Sequence, residues 1–207
     1  MVSIRNFFWT LFSIFFLTTL QPQLDSAIYD CFTYFNEEEV LKIHLAELYD
    51  VVDYFVLVEA AETFSGTPKG FYFDEVKHKF GPYLDKIIHI KIDEHIETTD
   101  PWVREYFQRN QIMRGLKNCK RSDYVIIGDV DEFVRPQKIP EMIEQLKKVD
   151  PPVVGCECDF YQYFLNRKDT SVEMVCSAMT TFKYLKKRSP QKIRRRKGRH
   201  VLKGAGW

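Results

Sequence analysis

From residue 28 onward, apolar positions repeat alternately with the period of strands and the period of helices. Residues 28–34 hold Ile, Tyr, Cys, Phe and Thr in a short strand-like run. Asn36 then reads as an N-cap, followed by Glu37, Glu38 and Glu39, which suit the positive start of a helix. Val40, Leu41, His44, Leu45 and Leu48 recur at helical spacing behind it. A second apolar strand is predicted over 54–58, ending at Glu59, and a third over 87–92. Between them, residues 61–82 are rich in Gly, Pro, Lys and Phe and read as a long loop. Asp100-Pro101 predicts a helix start, with the helix running to about Asn118 and Trp102, Val103, Tyr106, Phe107, Met113 and Leu116 as its inward face. A fourth strand is predicted over 124–127, a helix over 139–148, and further strands over 153–160 and 172–182.

Strands alternating with helices predict an α/β fold with a mainly parallel central sheet. Such sheets bind ligands beyond the carboxyl ends of their strands, so the residues that follow each strand carry the chemistry.

The N-terminus breaks this pattern. Arg5 precedes an apolar run at 7–20, followed by Gln21-Pro22-Gln23 and the small pair Ser26-Ala27, the layout of a secretory signal. As a helix the run would reach ~21 Å against a ~30 Å hydrocarbon core. Residues 1–27 therefore read as a signal peptide, with a short signal anchor and membrane association through residues 7–20 as the alternative. The chain is expected on the secretory route, in the Golgi or ER lumen, or else secreted.

The net charge of +1 hides an asymmetry: no acid occurs after Glu173, and eleven of the thirty Lys and Arg fall between Lys183 and Lys203. The basic tail reads as a solvated loop or as a site for nucleic acid, an acidic partner or phosphates, and the secretory signal argues against nucleic acid. Five cysteines at irregular spacing do not suggest a disulfide-rich domain. Cys156 and Cys158 fall on one face of a strand and read as buried thiols.

Four groups are candidates for chemistry. Asp129-Val130-Asp131-Glu132 follows an apolar strand and Gly128, and offers carboxylate oxygens to a hard divalent cation such as Mn²⁺ or Mg²⁺. Glu59, at a strand end, is placed to accept hydrogen bonds from a base or ribose. Glu157 and Asp159 are candidate general bases, and the residues alone do not choose between them. Arg104 and Arg109 could reach phosphates, while Glu105 and Arg109, four apart, could pair instead.

Taken together, the motifs at 28–37, 48–56, 58–66 and 83–88, with Trp102, Arg104-Glu105, 107–110 and Asp129-Val130-Asp131-Glu132, resemble glycosyltransferase family 17 in order and spacing. The resemblance runs from about Ile28 to the end. It implies a GT-A-like domain over 28–207, truncated at its C-terminus because the family continues beyond the Gly-Trp pair. It also implies UDP-GlcNAc as donor, a divalent metal held by Asp129 and Asp131, and inverting transfer to a mannose of a glycoprotein N-glycan or oligosaccharide, β-1,4-linked and of bisecting type. The alternatives are a non-catalytic nucleotide-sugar or glycan-binding protein and, further off, a nucleic-acid binder acting through the basic tail.

Overall fold

The computed structural model describes residues 26–161, 167–197 and 199–207. The segment read as a signal or anchor lies outside them except for Ser26 and Ala27. Among the described residues, no helix is long and apolar enough to cross a membrane.

The chain builds seven strands: β1 (Ile28–Thr33), β2 (Tyr54–Ala60), β3 (Ile87–Ile92), β4 (Tyr124–Asp129), β5 (Val153–Tyr161), β6 (Lys168–Thr181) and β7 (His200–Gly206). They form one sheet in the order β3-β2-β1-β4-β6-β5-β7. β1 pairs in parallel with both β2 and β4, β2 with β3, and β5 with β7, while β6 runs antiparallel between β4 and β5. The α/β class and the mainly parallel sheet agree with the expectation from sequence. β7 was not anticipated, because its Gly and Lys residues carry no strand pattern, and its pairing partner lies far away in the chain.

Helices cover both faces of the sheet. One face packs on α1 (Glu38–Leu48), α2 (Tyr72–Val76) and α5 (Ile139–Leu146) through Leu41, Leu45, Phe73, Met142 and Ile143. The other packs on α3 (Pro101–Asn110), α4 (Ile112–Gly115), α6 (Phe182–Leu185) and α7 (Pro190–Arg194) through Ile112, Leu116, Leu185 and Ile193. Each such side chain, once buried, contributes about 1.5–3 kcal/mol.

Three local expectations need correction. The N-cap of α1 is Glu37, not Asn36; the Glu37 carboxylate instead accepts the backbone N–H groups of Phe35 and Asn36 at 3.0 and 3.1 Å. The loop read over 61–82 contains α2 and a 3₁₀ segment, Lys77–Tyr83. The cause is remote: Glu59 on β2 accepts Tyr72 N at 2.6 Å and Phe73 N at 3.2 Å, satisfying the free donors that begin α2.

The helix predicted to run from 100 to 118 breaks after Asn110 and resumes as α4. Its inward face is also polar. Arg104, Gln108 and Arg109 are buried, whereas Trp102 and Val103 are exposed at 55% and 43%. Periodicity assumes that the apolar stripe faces the core, but here the buried polar residues have partners. Asp100 does cap this helix, accepting Trp102 N at 2.9 Å.

Candidate functional site

The chain leaves β1 toward β2 on one side and returns through α3 and α4 to β4 on the other. A crevice therefore opens at the carboxyl ends of β1 and β4, the switch point at which open α/β sheets bind ligands. Thr33 ends β1, Asp129 ends β4, and their side chains meet, with Thr33 Oγ1 donating to Asp129 Oδ1 at 3.1 Å. A cleft of about 410 Å³ lies there, with Asp129, Asp131, Glu105, Arg109, Arg194 and Trp102 in its walls. A second cleft of about 400 Å³ adjoins it through Thr33, Glu37 and Phe64, and is lined further by Tyr34, Phe35 and Gln108.

Asp129 is gripped by two guanidinium groups. Arg109 Nη2 donates to Oδ1 at 2.6 Å and Arg194 Nη2 to Oδ2 at 2.8 Å. Arg109 is fully buried, and its Nη1 reaches Glu105 at 2.7 Å and Gln191 at 2.6 Å. Arg194 also bonds Glu132 Oε1 at 2.5 Å. The expected Glu105–Arg109 pair is thus present, and both terminal nitrogens of Arg109 are engaged by Glu105, Gln191 and Asp129.

Asp131 makes no ion pair among the described residues. Desolvation by its surroundings and then the charge of Asp129 raise its carboxyl above the ordinary aspartate value. Glu132 is raised in the same way, first by burial and then by Asp129. Asp131 is thus the one acid of the three without a cationic partner among the described residues. Among the described residues no three His, Cys, Asp or Glu side chains converge as a closed metal cage. Asp131 offers a free carboxylate, while Asp129, bonded by Thr33 and Arg109 at Oδ1 and by Arg194 at Oδ2, keeps one lone pair on Oδ2; together they fit a hard divalent cation that keeps water or phosphate oxygens as its other ligands.

The turn carrying these acids is built from far away. Gly128 is needed for close approach: a Cβ there would fall 2.5 Å from Ser177 Oγ, which itself bonds Glu132 O at 2.6 Å. On the other side His44 Nδ1 donates to Val130 O at 2.7 Å, and its Nε2 faces Asp30 Oδ2 at 2.6 Å, with both side chains buried.

The remaining sequence candidates lie elsewhere. Glu59 does not face the clefts; it is fully buried, with Lys69, His89 and two backbone N–H groups around its carboxylate. Its place supports a structural role rather than nucleotide contact. Arg104 is also buried, donating to Phe64 O at 3.4 Å and Ile96 O at 3.2 Å and pairing with Glu62 at 3.4 Å. It supports the loop that carries Phe64 to the rim rather than the cleft floor. Glu157 and Asp159 stand on β5 outside the walls of both clefts. Lys168 and Arg135 bracket Asp159 at 2.6 and 2.9 Å, and the Lys168 bond holds its carboxyl below the ordinary value. Glu157 accepts Gly204 N at 2.8 Å through one oxygen.

Sequence reasoning did not single out Thr33, Glu37, His44, Phe64 or Arg194 as parts of this site. Thr33 could have been found as the residue ending β1; Arg194 lay in a basic run whose readings included phosphate binding. Cys156 and Cys158 are buried and free, as expected.

A model of glycosyltransferase family 17 matches residues 18–207. No curated protein matches the chain. Among solved structures it is similar to the mannosyltransferase PcManGT from Pyrobaculum calidifontis in complex with GDP-Man and Mn²⁺, at 16% identity and a TM-score of 0.45, over 77% of this chain and 46% of that one. It is also similar to S. aureus TarS, at 11% identity and a TM-score of 0.48, over 78% of this chain and 48% of that one. The chain thus spans about half the length of these structures. Since the family model takes in every described strand and helix, the chain belongs to glycosyltransferase family 17.

Proposed function

We propose that the protein transfers N-acetylglucosamine from UDP-GlcNAc to a mannose hydroxyl of a glycoprotein N-glycan, forming a β-1,4 linkage of bisecting type with inversion. The supporting observation is the acid pair Asp129 and Asp131 opening into a cleft at the switch point, beside Arg109, Arg194 and Arg195. Family membership supports sugar transfer; the donor and acceptor rest on the resemblance of the ordered motifs. Residence on the secretory route rests on the N-terminal pattern alone.

In this reading Asp129 and Asp131 hold a divalent metal, Mn²⁺ or Mg²⁺, which when bound supplies charge neutralisation for the departing diphosphate. Arg109 and Arg194 fix Asp129 by both oxygens, so that it meets the ligand already oriented. Arg195 adds a cation to the wall facing the phosphates. The adjoining cleft offers Phe35 and Phe64 as flat surfaces for the base. The acceptor proton must be taken by a base at the cleft, and neither acid on β5 is placed for it, because Glu157 and Asp159 stand outside the walls of both clefts.

The test is UDP release from UDP-GlcNAc by the full chain, with and without Mn²⁺, in the presence of a mannose-terminated N-glycan. Release that needs both metal and acceptor is expected. Absence of both release and metal-dependent UDP binding would overturn the reading; binding without release would reduce it to donor recognition.

A further inference from the structure

Behind Arg194 lies a third cleft, of about 440 Å³, floored by Val175 on β6 and Val201 on β7. Its walls carry five cations, Arg194, Arg195, Arg196, Lys197 and Arg199, against one acid, Glu132. That acid is already engaged, by Arg194 through Oε1 at 2.5 Å and by Asp129 N through Oε2 at 3.3 Å. The cleft therefore has a positive excess that its own side chains do not neutralise.

Arg199 Nη2 donates to Val175 O at 3.0 Å, but among the described residues its buried Nη1 has no partner, nor do Nε of Arg194 and Nε of Arg196. Gly155 makes room for this arrangement, since a Cβ there would lie 2.5 Å from Arg199 Nε. Burial, and after it the charge of Arg194, pull the Arg199 guanidinium below its ordinary value. Buried N–H groups without acceptors are costly, and several guanidinium groups around one space match a multivalent oxyanion.

We propose that this cleft binds a phosphate-class oxyanion, with Arg196, Lys197 and Arg199 as its own ligands and Arg194 and Arg195 as the wall shared with the Asp129 cleft. Two sources offer that chemistry: the diphosphate of a donor reaching across the wall, or a phosphate or sulfate carried by another molecule. The site stands without the transferase reading, because anion binding measures it directly.

The experiment is calorimetric titration of inorganic pyrophosphate, without metal, into the full chain. Saturable one-to-one binding that weakens with salt is expected. Arg196→Gln with Arg199→Gln should weaken it about tenfold or more, the effect of a lost charge-assisted hydrogen bond. Lys192→Gln, on the exposed side of α7, should leave it unchanged. Arg196→Gln alone shows the same direction if the double variant does not fold. Repeating the titration with UDP and Mn²⁺ present separates the sources: displacement assigns the site to the donor's diphosphate, and simultaneous binding assigns it to another molecule. Absence of saturable binding, or unchanged affinity in Arg196→Gln, overturns the site. If UDP and Mn²⁺ do not bind while pyrophosphate does, the transferase reading fails and the oxyanion site survives.

Discussion

His44 on α1 donates from Nδ1 to the backbone carbonyl of Val130 at 2.7 Å, and so fixes the residue between Asp129 and Asp131. A carbonyl can only accept, so Nδ1 carries a proton and Nε2 is left to Asp30 at 2.6 Å. Replacing His44 by Phe should leave Asp30 buried without its partner and Val130 O unbonded, weakening Mn²⁺-dependent UDP binding by about tenfold to a hundredfold, as loss of a supporting contact does at metal sites. Asp30→Asn preserves the geometry, because its amide can donate to Nε2 while Nδ1 still donates to Val130. It should bind UDP and Mn²⁺ like the native chain. Equal losses in the two variants would show that the contact does not position the acids. The measurement is UDP affinity with Mn²⁺, alongside the thermal midpoint.

Asp131→Asn should keep the fold and abolish turnover. Burial and the Asp129 charge disfavour the ionised Asp131 carboxyl, so removing it leaves the thermal midpoint unchanged or higher. A variant with native turnover would remove Asp131 from the metal site. Mn²⁺-dependent UDP release measures the loss of turnover, and a thermal melt the midpoint.

Glu59→Gln separates a structural from a nucleotide-binding role. The carboxylate bonds Lys69 and two backbone N–H groups in full burial, so neutralising it should cost about 2–3 kcal/mol of stability. UDP affinity should stay native once the variant is held below its lowered midpoint. A drop in affinity without a drop in midpoint would return Glu59 to the nucleotide.

The thiols predict alkaline sensitivity. All five cysteines are buried and free, and burial, then Asp123, push Cys119 up to about 12. An unfolded thiol titrates near ~8.5. Between those values the folded chain holds more protons than the unfolded one, so this contribution is fully present below ~8.5 and is lost as pH rises toward about 12. The midpoint of urea unfolding should fall over that window. At pH 8 a thiol reagent should find little to react with until denaturant exposes all five cysteines.

The class of the fold was legible because the apolar periods of β1, α1, β2, β3 and β4 are local properties of the chain. The same holds for the acids at 129 and 131, whose place after an apolar strand marks a carboxyl end in any parallel sheet. Asp100 capping Trp102 is a signal spanning three residues, and it too was readable.

What the sequence could not decide depended on partners remote in the chain. Glu59 looked free at a strand end until α2 arrived to place two N–H groups on it. Arg104 read as a phosphate contact, but tertiary packing supplies Ile96 O as its acceptor, as it supplies Val58 O to Gln108. β7 exists because β5 offers an edge, and Arg194 reaches Asp129 because α7 packs against α3 and β4. Local periodicity fixes where apolar side chains recur, but a buried polar group is stable only where another segment brings its partner, and that is determined by the folded chain alone.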